Sequence, residues 1–147
     1  MSQAEAWNPT VYLNDEWGAL SEARIPVMDR GFIFGDGVYE VMPLHAQAAG
    51  GRRSFRLTQH LARLKRSLTK IRIDDAGWRG LITRAIESNE GAGDALVYIQ
   101  VTRGVATRRG HAFPAGITPT VFIMIAPLVY VRPASRMSFC FTGSGMT

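Results

Sequence analysis

The sequence predicts an α+β domain: a mainly antiparallel sheet with two consecutive helices packed on one face. Three observations predict it. Strand-like runs with a period of two fall in groups on either side of the middle of the chain. Two amphipathic helical stretches follow one another between those groups, instead of alternating with strands as a parallel βαβ fold requires. The 147 residues and 46% hydrophobic content suit one domain able to bury a core, not a disordered chain.

Val11-Tyr12-Leu13 reads as a short strand, followed by a polar turn at Asn14-Asp15-Glu16. Ala23 to Val27 reads as a second short strand with Pro26 at its end. Next comes Asp29-Arg30-Gly31-Phe32-Ile33-Phe34-Gly35-Asp36-Gly37-Val38-Tyr39-Glu40-Val41, with three glycines at positions 31, 35 and 37. Glycine serves where φ must be positive or backbone must approach something closely, so this stretch reads as a bend. A strand follows from Gly37 to Leu44. Its alternation sets Val38, Glu40 and Met42 on one face and Tyr39, Val41 and Pro43 on the other. From pattern alone Tyr39 is expected to be ordinary core. Gly50-Gly51 marks a turn, with Arg53 to Arg56 as the returning strand.

From Thr58 the period becomes helical. Leu57, Leu61, Leu64, Leu68 and Ile71 form one apolar stripe, with Thr58 as the expected N-cap. Arg63, Arg66 and Lys70 fall on the opposite or flanking face, which reads first as a solvated basic face. His60 lies nearer the stripe and reads as partly buried. Asp74 or Asp75 is expected to cap a second helix with the stripe Trp78, Leu81, Ile82, Ala85 and Ile86, ended by Asn89 to Gly93. Leu96 to Val101 alternates as a strand. Thr102 to Gly116 is a long loop carrying Arg103, Arg108, Arg109 and His111, and loops of this length in compact domains are more often functional than idle. Pro119 to Val131 reads as an apolar strand.

Lys+Arg 17 against Asp+Glu 12 gives a formal charge of +5, and nearly all of the basic residues are arginine. Arginine reads planar anions through its fork, so carboxylate or phosphate ligands are expected. Nucleic acid is the rival reading of the charge, but the arginines are dispersed and no compact nucleic-acid motif is present. Cys140 is the single cysteine, which fits a reducing, cytoplasmic setting. The first residues show neither the basic nor the apolar region of a signal peptide. The longest apolar run, Val121 to Val131, is interrupted by Pro127 and too short for a membrane-spanning helix. No metal site is expected.

The stretch from Asp29 to Val41 closely resembles the N-terminal signature of the class IV, or fold type IV, pyridoxal-phosphate aminotransferases. Two further stretches agree in order and spacing: His60-Leu61-Ala62-Arg63-Leu64, and Val97-Tyr98-Ile99-Gln100-Val101-Thr102-Arg103-Gly104 followed by Arg109-Gly110-His111-Ala112-Phe113-Pro114. The last resembles the D-amino-acid aminotransferase branch, and the resemblance covers residues from about 12 to 130. It implies pyridoxal 5′-phosphate as cofactor, with Arg63 on its phosphate. It also implies Tyr39, Arg109 and His111 on the substrate α-carboxylate, amino-acid and 2-oxo-acid substrates, and a homodimer in which the loop pair reaches the neighbouring subunit's site. Arg103 and Arg108 rival Arg109 for the carboxylate.

One departure matters. The chemistry needs a Schiff-base lysine that also moves a proton, which the resemblance places on a second domain. No lysine follows Lys70, and Lys65 and Lys70 lie on the basic helix. Residues 1–131 are therefore expected to form the N-terminal domain, with 132–147 an atypical tail where the linker to a missing second domain begins. The chain is expected to be truncated before the lysine and inactive alone. The alternatives are a branched-chain aminotransferase or aminodeoxychorismate lyase of the same family and, further off, a non-catalytic anion- or nucleic-acid-binding module.

Overall fold

The computed structural model describes residues 7–128. It contains one six-stranded sheet, antiparallel throughout, in the order β2-β1-β6-β5-β3-β4. The strands are β1 (Thr10–Leu13), β2 (Glu16–Ala19), β3 (Gly37–Ala46), β4 (Arg52–Ser54), β5 (Ala95–Thr102) and β6 (Thr120–Pro127). The helices are α1 (Arg30–Phe34), α2 (Leu57–Lys70) and α3 (Trp78–Glu87). The α+β class is the one the period change at Thr58 predicts. The tail from 132 and Cys140 lie outside the described residues, as do positions 129–131 of the expected last strand.

The sheet has one covered and one open face. Met42, Leu44, Val97, Ile99, Ile123 and Ile125 are buried against Leu64 and Leu68 of α2 and Trp78, Ile82 and Ala85 of α3. The register aligns Tyr12, Glu40, Ile99 and Ile123 across neighbouring strands on this covered side. Tyr39, Gln100, Phe122 and Leu13 are likewise aligned, one residue out of step and therefore on the other side.

Several local expectations change. Residues 31–35 are not a simple bend. Asp29 caps a short helix, its carboxylate accepting from Gly31 N at 2.8 Å, and Gly35 ends the helix at φ 65°. Thr58 is not the cap of α2: the N-cap is Arg56, two residues earlier, held in left-handed backbone at φ 50° with its guanidinium over the Phe55 ring. Neither Asp74 nor Asp75 caps α3, whose N-cap is Gly77; Asp75 instead accepts from the Trp78 indole at 2.6 Å. Ala23–Val27 forms no strand, and Glu16–Ala19 pairs with β1, where the sequence reading places Glu16 in a turn and assigns 17–19 to no element.

Candidate functional site

Tyr39 corrects the core expectation most plainly. It is 67% exposed, because its position on β3 points it to the open face. Its ring stacks on Tyr98 of β5 at 6.1 Å between centroids, and Tyr98 in turn meets Phe122 of β6 edge-on. Burial, together with the neighbouring Tyr39 phenol, raises the Tyr98 hydroxyl above the ordinary tyrosine range. Tyr98 and Phe122 also line a groove of about 450 Å³ on this face, with Leu13 and Phe32 as further apolar walls and Gln100 and Thr102 as polar ones. A larger hollow of about 690 Å³, between Tyr12, Trp78 and Pro119, contains none of the candidate site residues.

Glu40, the next residue, faces the opposite way and is 3% exposed. A buried carboxylate needs partners, and α2 supplies two from one helix face, three residues apart. His60 Nδ1 lies 2.7 Å from Glu40 Oε1. Arg63 donates from Nε to Oε2 at 2.8 Å and from Nη2 to Oε1 at 2.5 Å. Burial pushes the Glu40 carboxyl up, but the Arg63 and His60 contacts outweigh it, and the net position is below the usual carboxylate range. The same contact raises the Arg63 guanidinium. Arg63 is thus not a free member of a solvated face. Its side chain remains 59% exposed, however, and Nη1 has no hydrogen-bond partner among the described residues.

The loop between β5 and β6 sorts its arginines. Arg103 is 7% exposed and spent. It forks onto Asp36 at 2.7 and 3.0 Å, donates to the Ile71 carbonyl at 2.7 Å, and lies 3.7 Å from the Phe113 ring centroid. That removes it as a carboxylate ligand. Arg30, which motif reading does not single out, is the other buried cation. Its Nε donates to Asp36 Oδ2 at 2.7 Å, Nη1 to the Gly110 carbonyl at 2.7 Å, and Nη2 to the His111 carbonyl at 3.3 Å. Asp36 is partly buried, which raises its carboxyl, but Arg103 and Arg30 carry it below the ordinary range. No sequence period reveals this cluster, because Arg30 and Arg103 meet only through the tertiary fold.

Arg109 and His111 are exposed and come together on one ring. The Arg109 guanidinium lies 4.8 Å from the Phe34 centroid, and the His111 ring lies 5.2 Å from it. Among the described residues, neither side chain has a hydrogen-bond partner, and no hydrogen bond joins either to Tyr39. Arg108 is exposed without such a ring anchor. Among the described residues no group of three or more His, Cys, Asp or Glu is placed to hold a metal ion, and no helix is long and apolar enough to cross a membrane.

The family model "Amino-transferase class IV" matches residues 37–139. The chain belongs to this family. D-alanine aminotransferase of Bacillus licheniformis is 37% identical over 122 residues, 80% of this chain and 41% of that protein. D-alanine aminotransferase of Listeria innocua is 34% identical over 142 residues, 93% of this chain and 46% of that protein. The chain therefore spans less than half the length of these relatives. In structure it resembles the branched-chain aminotransferase of Thermoproteus uzoniensis (TM-score 0.70, 20% identity, 84% of this chain and 42% of that one). It also resembles 4-amino-4-deoxychorismate lyase of Pseudomonas aeruginosa (TM-score 0.60, 28% identity, 80% and 39%).

Pyridoxal 5′-phosphate is the family's cofactor. Arg63 fits its phosphate in chemistry: an exposed guanidinium, fixed in direction by buried Glu40, with Nη1 uncommitted.

Proposed function

We propose that this chain supplies the anion-binding part of a pyridoxal-phosphate-dependent aminotransferase acting on D-amino acids and 2-oxo acids. When bound, the cofactor supplies an electron sink for the bonds at the substrate's Cα. The residues of this chain hold and orient. Arg63 anchors the phosphate, with Glu40 holding the guanidinium in place. Tyr39, Arg109 and His111 receive the α-carboxylate, the arginine by charge-assisted hydrogen bonds and the other two as further donors. Fixing the carboxylate fixes which face of Cα meets the cofactor.

The observation that carries this reading is the sorting of the arginines. In one small region Arg30 and Arg103 are buried and paired to Asp36, while Arg109 stands exposed beside His111 with no hydrogen-bond partner among the described residues. The same reading includes a homodimer in which the loop of one subunit completes the site of the other. The Arg109-Gly110-His111 loop favours D-amino acids over the branched-chain reading. Dispersed arginines and a single cysteine support a cytoplasmic protein that does not bind nucleic acid.

The Schiff-base lysine is not among residues 1–147 in this reading, so turnover needs residues outside them. Borohydride reduction in the presence of pyridoxal 5′-phosphate is expected to leave the 147-residue chain unlabelled. Stoichiometric labelling at Lys65 or Lys70 would refute that incompetence. With the whole reading frame expressed, amino transfer from D-alanine is expected and transfer from L-leucine is not. The reverse preference would select the branched-chain alternative.

A further inference from the structure

The loop between β5 and β6 is anchored in an unusual way. At its start it is well tied: Arg30 N donates to the Gly104 carbonyl, Ala106 N to the Met28 carbonyl, and Asp29 bridges to Val105. Gly104 sits at φ 104°, where an added Cβ would come within 1.9 Å of the Thr118 carbonyl oxygen, so the two ends of the loop press together. Between them, residues 107–118 form neither helix nor strand. Among the described residues, the only hydrogen bonds to that stretch are the two from the Arg30 guanidinium, to the carbonyls of Gly110 and His111. These carbonyls belong to the segment that presents Arg109 and His111.

We propose that Arg30 is the positioning residue of the carboxylate site: its guanidinium, fixed on Asp36, holds the Arg109-Gly110-His111 backbone so that both side chains present together. The proposal rests on the reading that Arg109 and His111 bind a carboxylate. Three features support it. Arg30 is 3% exposed, so its direction is set by packing. Its Nε is spent on Asp36, which leaves both terminal nitrogens of one rigid plane for the loop. Its guanidinium also lies 4.8 Å from the Phe34 centroid, the ring that Arg109 and His111 contact, so one short helix carries both the clamp and the platform. A lysine in its place keeps the charge beside Asp36 but has no fork to span the two carbonyls. Arg103 still pairs with Asp36 when Arg30 is replaced, so the carboxylate is not orphaned.

The test is heteronuclear NMR of the 147-residue chain and its Arg30→Lys variant, titrated with sodium acetate and with D-alanine. In the parent chain the amides of residues 109–112 are expected to be ordered, with order parameters near 0.85, and to fall below about 0.6 in Arg30→Lys. The His111 ring resonances should lose the shift imposed by Phe34. The acetate response at His111 should weaken by about ten-fold, equivalent to about 1.4 kcal/mol. Signals from β3, β5 and α2 should not move. If Arg30→Lys does not fold, Arg30→Gln, which removes the guanidinium while Arg103 still pairs with Asp36, is expected to loosen the same amides and weaken the same acetate response. Unchanged loop order, or a loosened loop with undiminished acetate affinity, overturns the positioning role. A parent chain whose His111 ignores acetate and D-alanine overturns the carboxylate reading instead, and the loop order alone then decides whether Arg30 is the clamp.

Discussion

Removing Arg63 and removing Glu40 break the same contact but leave different residues behind. Glu40→Gln leaves an exposed guanidinium that returns to water, so the cost is expected to be modest, that of lost charge-assisted hydrogen bonds. Arg63→Ala leaves a carboxylate at 3% exposure with His60 as its remaining partner, and is expected to be the more damaging change. The pH dependence differs as well. Losing Arg63 removes the leading contact that lowers the Glu40 carboxyl, so Arg63→Ala loses part of the stability that this depressed carboxyl contributes above its unfolded pKa, with His60 left as the lowering partner; Glu40→Gln has no carboxyl to titrate at that position. Urea midpoints across the carboxylate range check both statements, and equal midpoints at neutral pH would contradict the first. Tyr39→Phe removes an exposed hydroxyl with no hydrogen-bond partner among the described residues, so stability should change by less than about 0.5 kcal/mol while any carboxylate response weakens. The residue types at Arg63, Tyr39, Arg109 and His111 were visible in the motifs. Glu40's role was half visible: alternation placed a carboxylate beside Met42 on one face, and a covered face demands a partner. Arg30 and Arg103 were not distinguishable from Arg109 in the sequence, because only tertiary burial separates spent guanidinium groups from free ones.

Close approach decides what a methyl group does at two glycines, and open space decides it at a third. Gly37 opens β3 where an added Cβ would lie 2.6 Å from the Val101 carbonyl oxygen, in the strand pairing itself. Gly37→Ala is expected to cost about 1–3 kcal/mol, as overpacking does. Gly104→Ala should cost more, because its Cβ would meet backbone at 1.9 Å from a positive φ. Gly80, inside α3 with nothing within 4 Å, should behave oppositely: Gly80→Ala is expected to stabilise by about 0.5–1 kcal/mol through helix propensity. Thermal melts of the three variants test the order, and a stabilising Gly104→Ala would overturn it. The long stripes of α2 and α3 were legible because burial repeats along them. The five residues of α1 were not, since the helix buries Arg30 and offers no apolar stripe. The strand Glu16–Ala19 was not legible beyond the turn at Asn14-Asp15-Glu16, because its pairing to β1 depends on the left-handed backbone at Asn14 and Asp15, at φ 47° and 70°.

At the scale of the molecule, the two arms of the candidate site hang on two low-lying carboxylates. Glu40 ties α2 to β3, and Asp36 ties Arg30 and Arg103, hence α1 and the loop between β5 and β6, to the start of β3. Both carboxyls sit below their ordinary values when folded. A depressed carboxyl contributes stability that is fully present above its unfolded pKa, near 4, and is lost as pH falls through the folded value. The chain already carries a formal charge of +5, so protonating these groups adds like-charge repulsion to the loss of pairing. For Asp36 the consequence is sharper, because its protonation leaves two buried guanidinium groups, Arg30 and Arg103, facing each other without a counter-charge. The melting temperature is therefore expected to be level between about pH 5 and 7 and to fall steeply below about pH 4. Glu40→Gln should flatten part of that fall, and Asp36→Asn should destabilise the chain even at neutral pH, by about 3–5 kcal/mol. A melting temperature that holds into strong acid, or an acid slope identical in Glu40→Gln, would show that these pairs do not carry the fold. A loss of Arg109 and His111 ring contacts at Phe34 before global unfolding would locate the first failure at Asp36, since that carboxylate, through Arg30, carries the only hydrogen-bonded hold on the loop tip among the described residues.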